Sequence, residues 1–195
     1  MSLLAFPSRI SLQALGWEVT DRPPERKFVG LAYPHSSNLD GVLMVMMAAK
    51  MGLTMSWMVK DAVNQPVLGQ IVRSVGGVFI DRTKANGVVQ QMVEEFEQRD
   101  ELALMIPPEG TRSHRDYWKS GFYYIAVGAN VPICPAFLDF KRKRAGFGPS
   151  IYPTGDLHAD MKTIRDFYES IDPRGFRHSQ VGPIRLREEE EPAQS

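Results

Sequence analysis

Short apolar runs alternate with stretches of helical periodicity along most of the chain, and this alternation limits the fold more than any other feature. The runs "FVGLAY" (28–33), "TMSWMV", "GVFI", "ELALMIP" and "VPICPAFLDF" are four to ten residues long and carry few polar side chains, as strands covered on both faces require. Between them stands "LDGVLMVMMAAKMG", apolar nearly all round and closed by Gly52. Next comes "AVNQPVLGQIVRSVG", with Val63, Val67, Leu68, Ile71, Val72 and Val75 at helical spacing and Pro66 near the first turn. "KANGVVQQMVEEFEQRD" gathers Val88, Val89, Met92, Val93 and Phe96 on one face. "SGFYYIAVGAN" ends on a Gly-Ala-Asn stop, and a last helix is expected over about 157–170. The order βαβαβαβαβ predicts an α/β fold, a single layered domain with a mainly parallel sheet flanked by helices.

A chain of 195 residues with 43% hydrophobic content can bury one core without disulfides or a structural metal. The domain is expected over 28–187, after an N-terminal segment (1–27) and before an acidic, disordered tail (188–195). Lys and Arg together number 23 and so do Asp and Glu, so no global field draws the chain to nucleic acid. The lone cysteine, Cys134, excludes an intrachain disulfide and reads as a buried, inert thiol that fits a reducing compartment. The longest apolar run, "GVLMVMMAA", falls far short of the roughly 20 residues of a membrane-spanning helix. No signal peptide is read at the start. There Leu3, Leu4, Phe6, Ile10, Leu12, Leu15 and Trp17 either touch a membrane surface or pack on the domain.

The stretch "YPHSSNLDG" (33–41) joins the first strand to the first helix. Five positions on one helix turn two side chains about 140° apart, so contact between His35 and Asp40 requires His35 in the loop and Asp40 in the first helical turn. Asp40 would then fix one imidazole nitrogen and leave the other as a general base. Helix capping is the competing explanation: Ser37 and Asp40 stand at capping-box spacing. Capping accounts for Asp40 but leaves His35 unexplained, and on this stretch alone both readings stand. No metal is expected, because His114, His158 and His178 are scattered and no paired-ligand spacing occurs. GxSxG and GxxxxGK[ST] are also missing, which argues against serine hydrolases and P-loop enzymes.

"PPEGTRS" (107–113) follows a strand directly, where a parallel sheet presents its functional loops. Gly110 would allow close backbone approach, Arg112 offers a fork for phosphate or carboxylate, and Glu109 could hold that fork. "GGVFIDR" (76–82) likewise ends a strand on Arg82. Taken singly, each arginine also fits a surface ion pair. "KRKR" (141–144) is either a solvated loop or a site for anionic headgroups or the phosphates of CoA.

His35 through Asp40 matches H-x-x-x-x-D, "GGVFIDR" matches G-x-x-F-I-x-R, "PEGTRS" matches P-E-G-T-R-S and "VPICPAF" matches V-P-I-x-P. In this order and spacing the chain resembles the lysophospholipid acyltransferase family, the 1-acylglycerol-3-phosphate acyltransferases among them, over about residues 28–140. The resemblance implies a glycerolipid acyltransferase-like fold and transfer of a fatty acyl group from acyl-CoA or acyl-carrier protein to a lipid hydroxyl. It implies no cofactor beyond the donor substrate, a peripheral position on the cytoplasmic membrane face, and acyl-carrier protein as a candidate partner. By the same resemblance His35 is the base and Asp40 its partner, while Arg82, Glu109, Gly110, Thr111 and Arg112 bind the acceptor. Pro107 and Pro34 depart from the family's usual phenylalanine and asparagine.

Direct transfer needs no enzyme nucleophile, which fits the missing GxSxG. Six of the ten methionines fall in one helix-strand unit beside His35, and Met44, Met47 and Met58 are candidates for an acyl channel as well as for ordinary core. Two rivals remain at this level: an acyl-thioester hydrolase using the same dyad on water, and a non-catalytic lipid-binding module.

Overall fold

The computed structural model describes residues 12, 14–20, 22–81, 87–111, 113–177, 179 and 181–189, the Val63 side chain excepted. The described elements are β1 (Glu18–Val19), β2 (Lys27–Tyr33), α1 (Asn38–Met51), β3 (Met55–Lys60), α2 (Pro66–Ser74), β4 (Gly77–Ile80), α3 (Gly87–Gln98), β5 (Leu102–Ile106), α4 (Gly121–Ala129), β6 (Ile133–Asp139), β7 (Arg144–Phe147) and α5 (Leu157–Ile171). Among the described residues they form a seven-stranded sheet in the order β1-β7-β6-β2-β5-β3-β4. Only the β6–β7 pair is antiparallel.

Crossovers between parallel strands are right-handed, so the direction of each step along the sheet decides which face its helix covers. The connections β2-α1-β3 and β3-α2-β4 step one way, and β4-α3-β5 and β5-α4-β6 step back. That places α1 and α2 on one face and α3 and α4, which pack together, on the other. Strand β2 shows the consequence: Phe28 and Ala32 enter the core beneath α1, while Val29, Leu31 and Tyr33 enter the core shared with α3, α4 and α5. Both faces are covered, which explains why "FVGLAY" is apolar throughout. Gly30 leaves the space that the Met105 side chain fills, since a Cβ there would stand 2.3 Å from Met105 Sδ.

Several sequence expectations change. Two strands were not anticipated, the two-residue β1 and the four-residue β7. Of "KRKR", residues 141–143 form the turn between β6 and β7 and Arg144 begins β7, and much of the stretch is held internally. Arg142 donates to Asp139 at 2.8 Å and to the carbonyls of Ile171 and Asp172, and Lys143 Nζ donates to the Leu15 carbonyl at 3.0 Å. Burial alone would raise the Asp139 carboxyl, but its bonds with Arg142 outweigh that and hold it below its ordinary value. Leu12 and Trp17 belong to the core beneath α1, Trp17 meeting the Phe140 ring edge-on at 5.2 Å. Leu3, Leu4, Phe6 and Ile10 lie outside the described residues. Glu188 and Glu189, expected in a disordered tail, are bound to the domain: Glu188 accepts from Ser120 Oγ at 2.7 Å and Glu189 pairs with Arg165, while residues 190–195 lie outside the described residues. Burial pushes the Cys134 thiol up to about 12, in line with an inert thiol.

The largest departure is α2. Its apolar residues have helical spacing, yet Gly69 is its only buried position, and Val67, Leu68, Ile71 and the following Val75 are 75%, 45%, 55% and 54% exposed. No helix among the described residues is long and apolar enough to cross a membrane.

Candidate active site

The chain leaves β2 through residues 34–37 and enters α1 with Ser37 as N-cap, and the complete capping box with Asp40 is present. The box does more than start a helix. Asp40 is fully buried, and its Oδ2 accepts from the backbone N–H of Ser36 (2.5 Å) and Ser37 (2.6 Å) and from Ser36 Oγ (3.1 Å). Its Oδ1 accepts from Ser37 Oγ at 3.1 Å. One carboxylate thus fastens both residues that follow His35. The Ser37 N–H and the Asp40 N–H are both engaged inside this box, so neither remains available to a ligand.

A second buried carboxylate holds the loop from the other side. Glu109, 3% exposed, follows β5 and accepts from the backbone N–H of His35 and of Gly182, the latter at 3.3 Å. Burial raises its pKa from 4.5 to about 6, against the lowering effect of those two bonds. Gly182 belongs to a C-terminal segment that wraps the loop. Arg177 N–H donates to Ser36 Oγ at 3.0 Å, and a Cβ on Gly175 would stand 3.0 Å from that same oxygen. A Cβ on Gly182 would stand 1.9 Å from the Arg115 carbonyl oxygen, so only glycine fits. Sequence reading missed this segment, because "VGP" and "RGF" carry no motif and their partners Glu109 and Ser36 lie 73 and 141 residues away.

Half-buried His35 stands on the wall of a cavity of about 1640 Å³. The sheet itself opens the space: β3 pairs with β5 through Met55 and Ser56, after which Trp57–Lys60 pair with β4. Trp57 and Met58 on one side and Met105 and Ile106 on the other flank the cavity, with Val88 and Val89 of α3 and Phe122 of α4 completing an apolar lining and the exposed Val42 and Val45 of α1 at its edge. Its rim is polar: Asn38, Glu109, Gly110, Arg115, Lys119 and Arg187 join His35 there. Arg187 lies 5.5 Å over the Tyr117 ring.

Of the sequence candidates, His35, Glu109 and Gly110 meet at this rim, while Asp40 sits behind it. Gly110 has φ +67, in the left-handed region that favours glycine, and a Cβ there would stand 3.2 Å from the Lys119 side chain. Thr111 is half-buried and its Oγ1 accepts from the Ser113 N–H at 3.3 Å. Arg82 and Arg112 lie outside the described residues. Met44 and Met58 line the cavity, whereas Met47 is fully buried beneath α1 against the sheet and does not, because its helix position faces the strands. Met46, Met55 and Met105 line it instead. Rim cations Lys119 and Arg187 were also missed, Arg187 because it follows the motif region entirely.

An apolar cavity with a histidine at its mouth, held by two buried carboxylates, can bind a long apolar ligand and move a proton at one end. Comparison with known proteins identifies the family. A family model described as Acyltransferase matches residues 20–139. A 1-acyl-sn-glycerol-3-phosphate acyltransferase of Escherichia coli (strain K12) is 37% identical over 76 residues, covering 36% of this chain and 31% of that protein. The enzyme of the same name from Limnanthes douglasii is 33% identical over 109 residues, covering 53% and 38%. The human alpha form is 28% identical over 131 residues, covering 63% and 45%. The matched stretches therefore span less than half the length of these relatives. The crystal structure of the 1-acyl-sn-glycerophosphate acyltransferase from Thermotoga maritima superposes with a TM-score of 0.58 at 17% identity, over 89% of this chain and 80% of that one, and so shares the fold. With a family model covering more than half of its length, the chain belongs to the acyltransferase family.

Proposed function

We propose that the protein is an O-acyltransferase that moves a fatty acyl group from acyl-CoA or acyl-carrier protein to the hydroxyl of a lysophospholipid of the lysophosphatidic acid type. The observation that carries this reading is His35 at the polar mouth of a cavity of about 1640 Å³, larger than a drug-sized ligand needs and lined inside by methionine, valine and tryptophan. An acyl chain would occupy the interior, placing its thioester carbonyl beside His35.

In this mechanism His35 removes the acceptor hydroxyl proton as the oxygen attacks the thioester carbon. The tetrahedral intermediate collapses with loss of the thiolate, which takes the proton back from the imidazolium. Asp40 acts on His35 by orientation: a carboxylate oxygen has two acceptor positions, and Oδ1, already bonded to Ser37 Oγ, has a second for the imidazole N–H. The positive N-terminal end of α1 at the cavity wall favours the developing oxyanion. The acceptor's phosphate would meet Arg82 and Arg112, assigned by motif, together with Lys119 and Arg187 on the rim. Glu109, assigned by motif to acceptor binding, also holds the loop through the N–H groups of His35 and Gly182. The protein would work peripherally at the cytoplasmic face of a membrane, a compartment that suits its lone buried thiol.

The test is mass spectrometry of the lipids formed from a mixed lysolipid panel with each donor in turn. Acceptor-dependent formation of a diacyl product is expected. Thioester cleavage at the same rate without lysolipid would identify a hydrolase instead, and lipid binding without turnover, unchanged in His35→Ala, would identify a binding module.

A further inference from the structure

The handedness of their crossovers puts helices α1 and α2 on one sheet face, and both turn aliphatic side chains to solvent. On α1 these are Leu39, Val42 and Val45, exposed by 40%, 54% and 43%, opposite the buried Leu43, Met44 and Met47. On α2 and its end they are Val67, Leu68, Ile71 and Val75, one stripe of an amphipathic helix whose apolar side ordinarily faces a core. A cluster of this kind on a folded chain marks an interaction surface.

Three features identify what covers it. First, Val42 and Val45 also line the cavity, so the exposed stripe runs into the opening through which an apolar ligand enters. Second, between Asn38 and Ile80 the charged residues are Lys50, Lys60 and Arg73 against a single exposed acid, Asp61, since Asp40 is fully buried. The opposite face carries Glu94, Glu95 and Glu97 on α3, so the apolar side is also the basic side. Third, the exposed residues are all valine, leucine or isoleucine, without the tyrosine, tryptophan and arginine anchors that concentrate energy in protein interfaces. An aliphatic surface on a side of the sheet whose exposed charges are mostly cations fits the headgroup-acyl boundary of an anionic leaflet.

We propose that α1 and α2 form the face by which the protein docks on an anionic lipid leaflet, with the cavity mouth turned toward the lipid. The proposal rests on the reading of the site as one for a lipid acceptor. It deepens that reading by naming the surface, whose α2 part, Leu68 and Ile71 included, lies off the cavity wall.

The test is co-sedimentation of the full chain with vesicles of phosphatidylcholine and phosphatidylglycerol, comparing wild type with the double substitution Leu68→Glu, Ile71→Glu. Both residues are exposed and off the cavity wall, so the variant is expected to melt like wild type. Vesicle affinity should fall by about tenfold or more, since two buried aliphatic contacts are lost and two charges are repelled. Acylation of an acceptor embedded in vesicles should fall in parallel, while acylation of a monomeric short-chain acceptor stays unchanged. Equal vesicle binding by variant and wild type, or no binding by wild type, overturns the proposal. So does a wild-type dimer in sedimentation velocity that the substitution dissolves. Vesicle binding is read without turnover, so a protein that docks as described yet acylates nothing would refute the enzymatic reading alone.

Discussion

Glu109 allows a prediction in which one carboxyl is read in isolation. Its pKa rises from 4.5 to about 6 because burial disfavours the charged form. A carboxyl whose folded pKa lies above its unfolded value binds more protons in the folded state. Its contribution to stability is therefore complete below the unfolded pKa and is lost as pH rises through the folded one. A shift of about 1.5 units corresponds to about 2 kcal/mol, at about 1.36 kcal/mol per unit. Glu109→Gln removes the titration and keeps the shape. The stability of wild type minus that of Glu109→Gln should thus fall by about 2 kcal/mol between about pH 4 and pH 7.5, most steeply from 4.5 to 6. Urea unfolding followed by tryptophan fluorescence at closely spaced pH values measures both proteins, and the subtraction cancels distant groups. A difference that stays flat across that range would refute the buried, hydrogen-bonded placement of Glu109. A difference that grows with pH would mean that the site favours the ionised form.

Asp40→Asn should cost about 3 kcal/mol, since it strips charge from an acceptor of four hydrogen bonds, and should lower the melting temperature by about 10 °C in a thermal scan. Gly182→Ala puts a methyl group 1.9 Å from a backbone oxygen, so it should cost about 2 kcal/mol or more in urea unfolding and reduce kcat through the displaced His35 loop. Met58→Trp fills part of the cavity interior and should shift donor preference toward shorter acyl chains in a competition assay with mixed chain lengths.

The parts of the molecule that were legible in the sequence are those fixed by local pattern. The apolar runs located β2 through β6, and the capping box at Ser37 and Asp40 located the start of α1. The motifs brought His35, Glu109 and Gly110 to one rim because each sits at the end of a strand in a parallel sheet, where loops converge. What stayed illegible depends on distant contacts. Nothing local distinguishes Gly182 from any other loop glycine until Arg115 is seen to lie against it. Helical spacing in α2 was real, but periodicity states that residues share a face and not whether that face meets the core. "KRKR" read equally as a solvated loop or an anion site because charge counts do not reveal Asp139 or the carbonyls at the end of α5. Met47 looked equivalent to Met44 until the helix was set against the sheet.

The central claim is that His35 carries the proton for acyl transfer at the mouth of this cavity. Product formation from acyl-CoA or acyl-carrier protein and lysophosphatidic acid, followed by mass spectrometry for wild type and His35→Ala, tests it most directly. The wild type should form diacyl product, and the variant, folded to the same melting temperature and binding the same acceptor, should form about a thousandfold less or none. Transfer by His35→Ala at the wild-type rate would contradict the account.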